Sequence, residues 1–282
     1  MLSYDFMQRA LIAAMVVGLV APVIGVHLVQ RRLALLGDGM GHVALTGVGI
    51  SFLLQTTPIP TALVVAVAGS LLIELIRVRS RAAGDLALAL LFYGGIAGGV
   101  LLSSLAGRTR PVSLSSYLFG AVSTVTRNDL TVLIITSVAA LALLAVFGAE
   151  MFALSIDSDS AAIRGIRVQL MGALLSALAA VTVVIGMRIV GLLLVSAIMI
   201  VPVAASQQVA RSFRGTMMGA VVIGLVCCVS GVTAGYYFSV PPGPAIVLLA
   251  LVIFAVAAVV GARARSSAAA RRSRRFAESD VS

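Results

Sequence analysis

Nine stretches of this chain, at 9–29, 41–55, 60–76, 86–106, 130–149, 168–187, 189–209, 216–238 and 244–262, run apolar with scarcely a charge. A bilayer-crossing helix needs roughly 20 mostly apolar residues, and several of these runs are short or interrupted by glycine. The pattern therefore predicts about eight or nine crossings. Of the 282 residues, 61% are hydrophobic and 11% charged. A soluble domain typically carries about 25% charged residues, and a chain this short of them cannot cover its own surface in water. The expected fold is all-α, a polytopic integral membrane bundle. The first run lacks the basic start and small-residue cleavage site of a signal peptide, so it is read as a permanent helix.

The charges that remain are one-sided. All 20 basic side chains are Arg, set against 10 Asp and Glu, for a net charge of +10. A phosphate-binding P-loop needs Lys after its glycines, and a Schiff base needs Lys too, so neither chemistry is available here. The chain is thus expected not to be an enzyme, and any ATP hydrolysis that drives it belongs to another chain. The two cysteines, Cys227 and Cys228, are adjacent in an apolar run and offer neither a disulfide framework nor metal-site spacing.

Orientation follows from the same arginines. With the C-terminal tail in the cytoplasm, nine alternating runs put Arg31, Arg32, Arg77, Arg79, Arg81, Arg164, Arg167, Arg211, Arg214 and the tail arginines inside. Arg9, Arg108, Arg110, Arg127 and Arg188 fall outside, which is the bias of the positive-inside rule. The N-terminus is then outside. Residues 1–262 form the transmembrane domain. Residues 263–282, with the cluster Arg271-Arg272-Ser273-Arg274-Arg275, read as a disordered cytoplasmic tail against anionic headgroups, with no nucleic-acid role.

Ionisable groups inside membrane helices are costly and mark sites by default. Four places qualify: His27, the segment Gly37-Asp38-Gly39-Met40-Gly41-His42, Glu74 and Asp85. Asp38 and His42 are four apart, which on a helix puts both on one face. A carboxylate and an imidazole suit Zn²⁺, Mn²⁺ or Fe²⁺, although two ligands are fewer than a stable site uses. An Asp–His hydrogen bond between packed helices, or an Asp cap on the second helix, are the plainer readings. The glycines around the pair allow close backbone approach or a break lining a cavity. Asp85 either caps a helix start or lines an ion path. Glu74, three residues before Arg77, favours a local ion pair. His27 either faces the cavity of His42 or hydrogen-bonds a neighbouring helix.

One loop differs from the rest. Ser155-Ile156-Asp157-Ser158-Asp159-Ser160-Ala161-Ala162-Ile163-Arg164-Gly165-Ile166 is polar, starts like a capped helix and ends on a glycine. It predicts a short helix outside the membrane, within 153–167. That helix is either a solvated turn or a docking surface for a cytoplasmic partner.

Together these segments resemble the permease subunits of ATP-binding-cassette importers for zinc and manganese, over residues 10–260. The most specific stretch is Arg31-Arg32-Leu33-Ala34-Leu35-Leu36-Gly37-Asp38-Gly39-Met40-Gly41-His42-Val43-Ala44-Leu45-Thr46-Gly47. Ser116-Tyr117-Leu118-Phe119-Gly120, Val190-Gly191-Leu192-Leu193-Leu194 running to Pro202, and Pro242-Gly243-Pro244 agree in order. The resemblance implies a type II importer permease in the bacterial plasma membrane. Its implied partners are a second copy of itself, cytoplasmic ATPase subunits that hold the ATP, and an extracytoplasmic metal-binding protein. It implies no permanently bound cofactor, with the metal ion as cargo. Asp38 and His42 match the family's acid and imidazole in the path, with Asp85 and His27 as further candidate ligands. Asp157, Asp159, Ala161, Arg164 and Gly165 match the coupling helix that docks into the ATPase. The chain departs from the family at Gly41, where Ala or Ser is commoner, and at Phe92-Tyr93-Gly94-Gly95. The expected function is ATP-driven import of a divalent metal by alternating access, zinc first, then manganese or iron. The alternatives are an ion-coupled carrier with Asp38, His42 and Asp85 as a proton relay, and a non-transporting membrane scaffold.

Overall fold

The computed structural model describes residues 4–79, 84–106, 117–118, 120, 125–238 and 240–279, and every element among them is helical. In chain order these are α1 (Asp5–Gln30), α2 (Leu36–Leu53), α3 (Pro58–Arg79), α4 (Gly84–Leu105) and α5 (Arg127–Val146). There follow α6 (Gly148–Ile156), α7 (Ser158–Ile163), α8 (Val168–Val190), α9 (Leu192–Val209), α10 (Phe213–Phe238) and α11 (Pro242–Ser279). The Ser116 and Phe119 positions of the second family motif lie outside the described residues.

Eight of these helices are long and apolar enough to span a bilayer: α1, α3, α4, α5, α8, α9, α10 and the first part of α11. The ninth bundle helix, α2, has the length and falls short in apolarity, because Asp38, His42, Thr46, Ser51 and its five glycines dilute it. Its neighbours compensate. α2 packs on α3, α4, α8 and α9, and nearly every residue along it is buried. A helix too polar to face lipid is thus walled in by helices that can. Alongside it, α1, α8 and α9 form the rest of the buried centre, while α4, α5 and α11 show broad apolar faces outward.

Small residues set how closely the centre packs. A Cβ on Gly47 would lie 2.6 Å from the Cα of Ala62, so α2 and α3 touch backbone to backbone. With lipid as apolar as the side chains, such contacts supply the attraction between helices. Gly191, at φ +93°, is the single residue between α8 and α9, and turns the chain in a conformation that favours glycine.

The ends of the bundle differ. One end gathers Arg31, Arg32, Arg77, Arg79, α6, α7 and the 210–212 turn; the other gathers 54–57, Gly191 and 240–241. At the arginine-rich end, Glu74 of α3 lies 3.0 Å from Arg77 and 3.6 Å from Arg31. The pair with Arg77 is the local one the sequence suggests. The pair with Arg31 joins the α1–α2 turn to α3, and both side chains are buried. Gly172 of α8 leaves the space that the Glu74 carboxylate fills.

The stretch beyond 263, expected to be disordered, continues α11 as helix to Ser279. Ala and Arg are strong helix formers, and neither Gly nor Pro follows Gly261 to stop the helix.

Candidate functional site

α2 begins after Leu35, so Asp38 sits inside its first turn and is not the residue that caps it. A carboxylate there is favoured by the positive end of the helix. His42 follows one turn later, with Nε2 3.8 Å from Asp38 Oδ1. That separation is longer than a hydrogen bond, so the two groups share a face without being committed to each other.

The pattern of exposure along α2 defines the site. Every residue of α2 is buried except Asp38, Thr46, Ile50 and the terminal Leu53. Asp38, Thr46 and Ile50 lie on a single i, i+4 stripe, and His42 occupies its remaining turn. Asp38 keeps 28% of its side chain exposed, while His42 is 8% exposed. Among the described residues, the partly exposed positions of α2 ahead of its last residue therefore fall on the stripe that carries Asp38 and Thr46.

α4 supplies the opposite wall. Gly95 lies against the His42 backbone: a Cβ there would come within 2.6 Å of the His42 carbonyl carbon. Its own carbonyl accepts a hydrogen bond from the Thr46 hydroxyl at 2.9 Å. Phe92 presents its ring edge-on to the His42 imidazole, with centroids 4.4 Å apart. The other imidazole nitrogen of His42, Nδ1, is buried and has no hydrogen-bond partner. The departures from the family pattern find their reasons here. Leu192 of α9 occupies the place a Gly41 Cβ would take, at 1.7 Å, and Phe92 packs on His42.

His27 is not part of this group. Its Nδ1 lies 3.0 Å from Ser155 Oγ of α6, and its ring rests against Phe213 of α10. Of its two readings, metal ligand or hydrogen bond to a neighbouring helix, the structure shows the second: residue 27 falls on the face of α1 that meets α6 and α10. Asp85 stands at the start of α4, and its side chain lies outside the described residues. Among the described residues, no three His, Cys, Asp or Glu side chains converge on one point. Thr46 escaped the sequence reading because a hydroxyl in a membrane helix gives no signal of its own. Only its spacing from Asp38 and His42 marks it.

The second feature is the α6–α7 turn. Asp157 ends α6 and caps α7, accepting hydrogen bonds from the Asp159 N–H at 3.0 Å and from the Ser160 hydroxyl. Those contacts, the hydroxyl first, hold its carboxyl below the usual range. Gly165, at φ +82°, closes the loop. Asp159, Arg164 and Gly165 are exposed, whereas Ala161 is buried and anchors the loop from inside. The sequence reading passed over Ile163, which is 88% exposed at the end of α7.

A bundle of this kind, with a polar stripe on a walled-in helix and a short helix held outside the spans, defines a multi-pass membrane permease. Comparison with known proteins gives the family. The chain belongs to the ABC 3 transport family, whose model matches residues 3–261. It is 31% identical over 257 residues to a manganese transport system membrane protein of Listeria innocua, covering 91% of each chain. It is 30% identical over 263 residues to a manganese import system permease protein of Streptococcus gordonii, covering 93% of this chain and 94% of that one. Among solved structures it matches PsaBC from Streptococcus pneumoniae in complex with Fab, with a TM-score of 0.77 and 30% identity over 90% of this chain and 91% of that one. The protein is a plasma-membrane permease subunit of a metal importer of the ATP-binding-cassette type. The proton-relay carrier gains no support from these relatives.

Proposed function

We propose that this permease imports Mn²⁺, and that Asp38, His42 and Thr46 form the strip of α2 along which the ion passes. The exposure pattern of α2 carries the reading: among the described residues, the partly exposed stripe of this buried helix is the one that bears its carboxylate and hydroxyl, with the imidazole seated between them. The donor set is hard to borderline, since both thiols lie on α10, that of Cys228 against Gly18 of α1, and oxygen-rich sites suit manganese. Manganese is also the metal in the names of two of the relatives. The order therefore differs from that expected from the sequence, where zinc came first. Two ligands without a closed shell suit an ion that must be released as well as bound.

The ATP is hydrolysed on a partner chain that docks at α7. Ile163, exposed among Asp159, Arg164 and Gly165, provides an apolar knob in a polar loop, the composition of a docking contact. A second copy of the permease and an extracytoplasmic metal-binding protein complete the importer. The arginine-rich end faces the cytoplasm. In alternating access, the ion enters from the other end, meets Asp38 and His42, and leaves past α6 and α7.

Uptake of radiolabelled manganese by a deletion strain carrying each variant tests this. Asp38→Asn and His42→Ala should each lower uptake by about tenfold or more, a loss of ~1.4 kcal/mol in transition-state stabilisation. Thr46→Val should give a smaller loss. Normal uptake in the Asp38 and His42 variants would refute the path. Rescue of zinc-limited growth with no manganese uptake would overturn the choice of cargo.

A further inference from the structure

We propose that His27 and Ser155 form the joint through which displacement of α7 reaches Asp38, making His27 a positioning residue for transport. The inference rests on reading α7 as the docking element.

The joint starts with a connection that has no slack. Asp157 alone links α6 to α7, in extended conformation with φ −154° and ψ 113°. Its N–H donates to the Ala153 carbonyl of α6 at 3.1 Å, while its carboxylate is hydrogen-bonded within α7. Movement of α7 therefore pulls on the last turn of α6.

Ser155 is in that turn, and it is buried. A hydroxyl has one proton, and Ser155 gives it to the Met151 carbonyl at 2.7 Å. With that proton donated to Met151, Ser155 accepts from His27, and the tautomer we assign to the joint carries its proton on Nδ1, donating across 3.0 Å. Phe213 holds the arrangement from the side. Its ring lies 5.4 Å from His27 and 4.8 Å from Phe152, the latter edge to face at 76°. His27 and Ser155 are both buried, where breaking a hydrogen bond is costly, so α6 and α1 move together.

From His27 the line runs through the α1 backbone to its other face. Gly25 is two residues back on α1, and a Cβ there would fall 1.7 Å from the Met199 carbonyl oxygen of α9. The sulfur of the same Met199 lies 3.0 Å from the Cβ position of Gly37, next to Asp38. Ser155, His27, α1, Met199 and the first turn of α2 thus make one packed line from the docking loop to the carboxylate. Packed contacts of this kind shift in discrete steps and do not deform smoothly.

The test uses the permease reconstituted in proteoliposomes with its ATPase and binding protein, reading manganese imported per ATP hydrolysed. His27→Leu and Ser155→Ala should keep the ATPase bound and hydrolysing while the import ratio falls several-fold. His27→Asn, which places an N–H where Nδ1 stands, should restore it. The double variant should be no worse than either single one, as for two partners of one bond. A wild-type ratio in Ser155→Ala, which removes a single oxygen, overturns the proposal, as does an equal loss in His27→Asn and His27→Leu. Ile163→Glu separates this from the docking reading. If the ATPase still binds that variant, α7 is not the dock. If binding is lost and the His27 and Ser155 variants import normally, docking stands and the joint falls.

Discussion

Gly94 and Gly95 are adjacent in α4 and should tolerate change in opposite ways. A Cβ on Gly94 meets nothing within 4 Å, whereas one on Gly95 strikes the His42 backbone at 2.6–2.7 Å. Gly94→Ala should leave uptake unchanged and gain up to ~1 kcal/mol of helix propensity. Gly95→Ala must push α4 away from α2, at about 1–3 kcal/mol for overpacking, and should lower uptake further than Thr46→Val does, because it displaces the wall beside His42 as well as the Thr46 contact. Thermal melting in detergent together with manganese uptake separates the two; equal behaviour would show that the wall beside His42 is not tight. At this scale the sequence was readable where a residue type is expensive. Asp38 and His42 stand out because an apolar span has no cheap way to hold them. His27 stood out for the same reason, with a hydrogen bond to a neighbouring helix as one of its two readings, but its partner could not be named because Ser155 is a commonplace residue far away along the chain. Gly94 and Gly95 look identical in sequence, and only the packing of α2 tells them apart.

At the scale of elements, the buried ion group beside α8 fixes how α1, α2 and α3 meet. Glu74→Gln strands Arg31 without its counter-charge, which should cost about 3–5 kcal/mol. Replacing Arg31 and Glu74 together by Met should cost less than the single change, since no buried charge is left bare and Arg77, with 26% of its side chain exposed, keeps its contact with solvent. Melting temperatures of the three proteins check this, and a milder Glu74→Gln than double variant would show that the pair contributes little. The cap of α7 makes a second prediction. Asp157 titrates lower folded than unfolded, so its contribution is complete above the unfolded pKa and fades only as pH falls through the folded one. ATPase docking should therefore be flat between about pH 5 and pH 8 as far as this cap decides it. Helix positions were legible from apolar runs and from the end signal of Gly165, whereas the break at Gly191 lay inside an apolar run and shows only in the structure. The Glu74–Arg31 pair was not, because a local pair with Arg77 already accounted for the carboxylate.

For the whole molecule, the testable quantity is its direction in the membrane. Cys227 and Cys228 are both fully buried, so they stay silent toward water-borne thiol reagents and leave a clean background. Tyr4 and Ile163 are exposed at opposite ends of the bundle. Tyr4→Cys should react with an impermeant maleimide in intact cells, and Ile163→Cys only in inside-out vesicles. The reverse pattern would turn the molecule over and place the proposed ATPase dock on the wrong side. The setting of α2 bears finally on how the protein is made. α3 and α4, two of the helices that shelter it, follow at once from the ribosome, whereas α8 and α9 emerge far downstream. During synthesis the ion-handling segment waits half-housed, a weak candidate for lateral release from the insertion machinery. The path for metal is complete only once the later spans have arrived to enclose it.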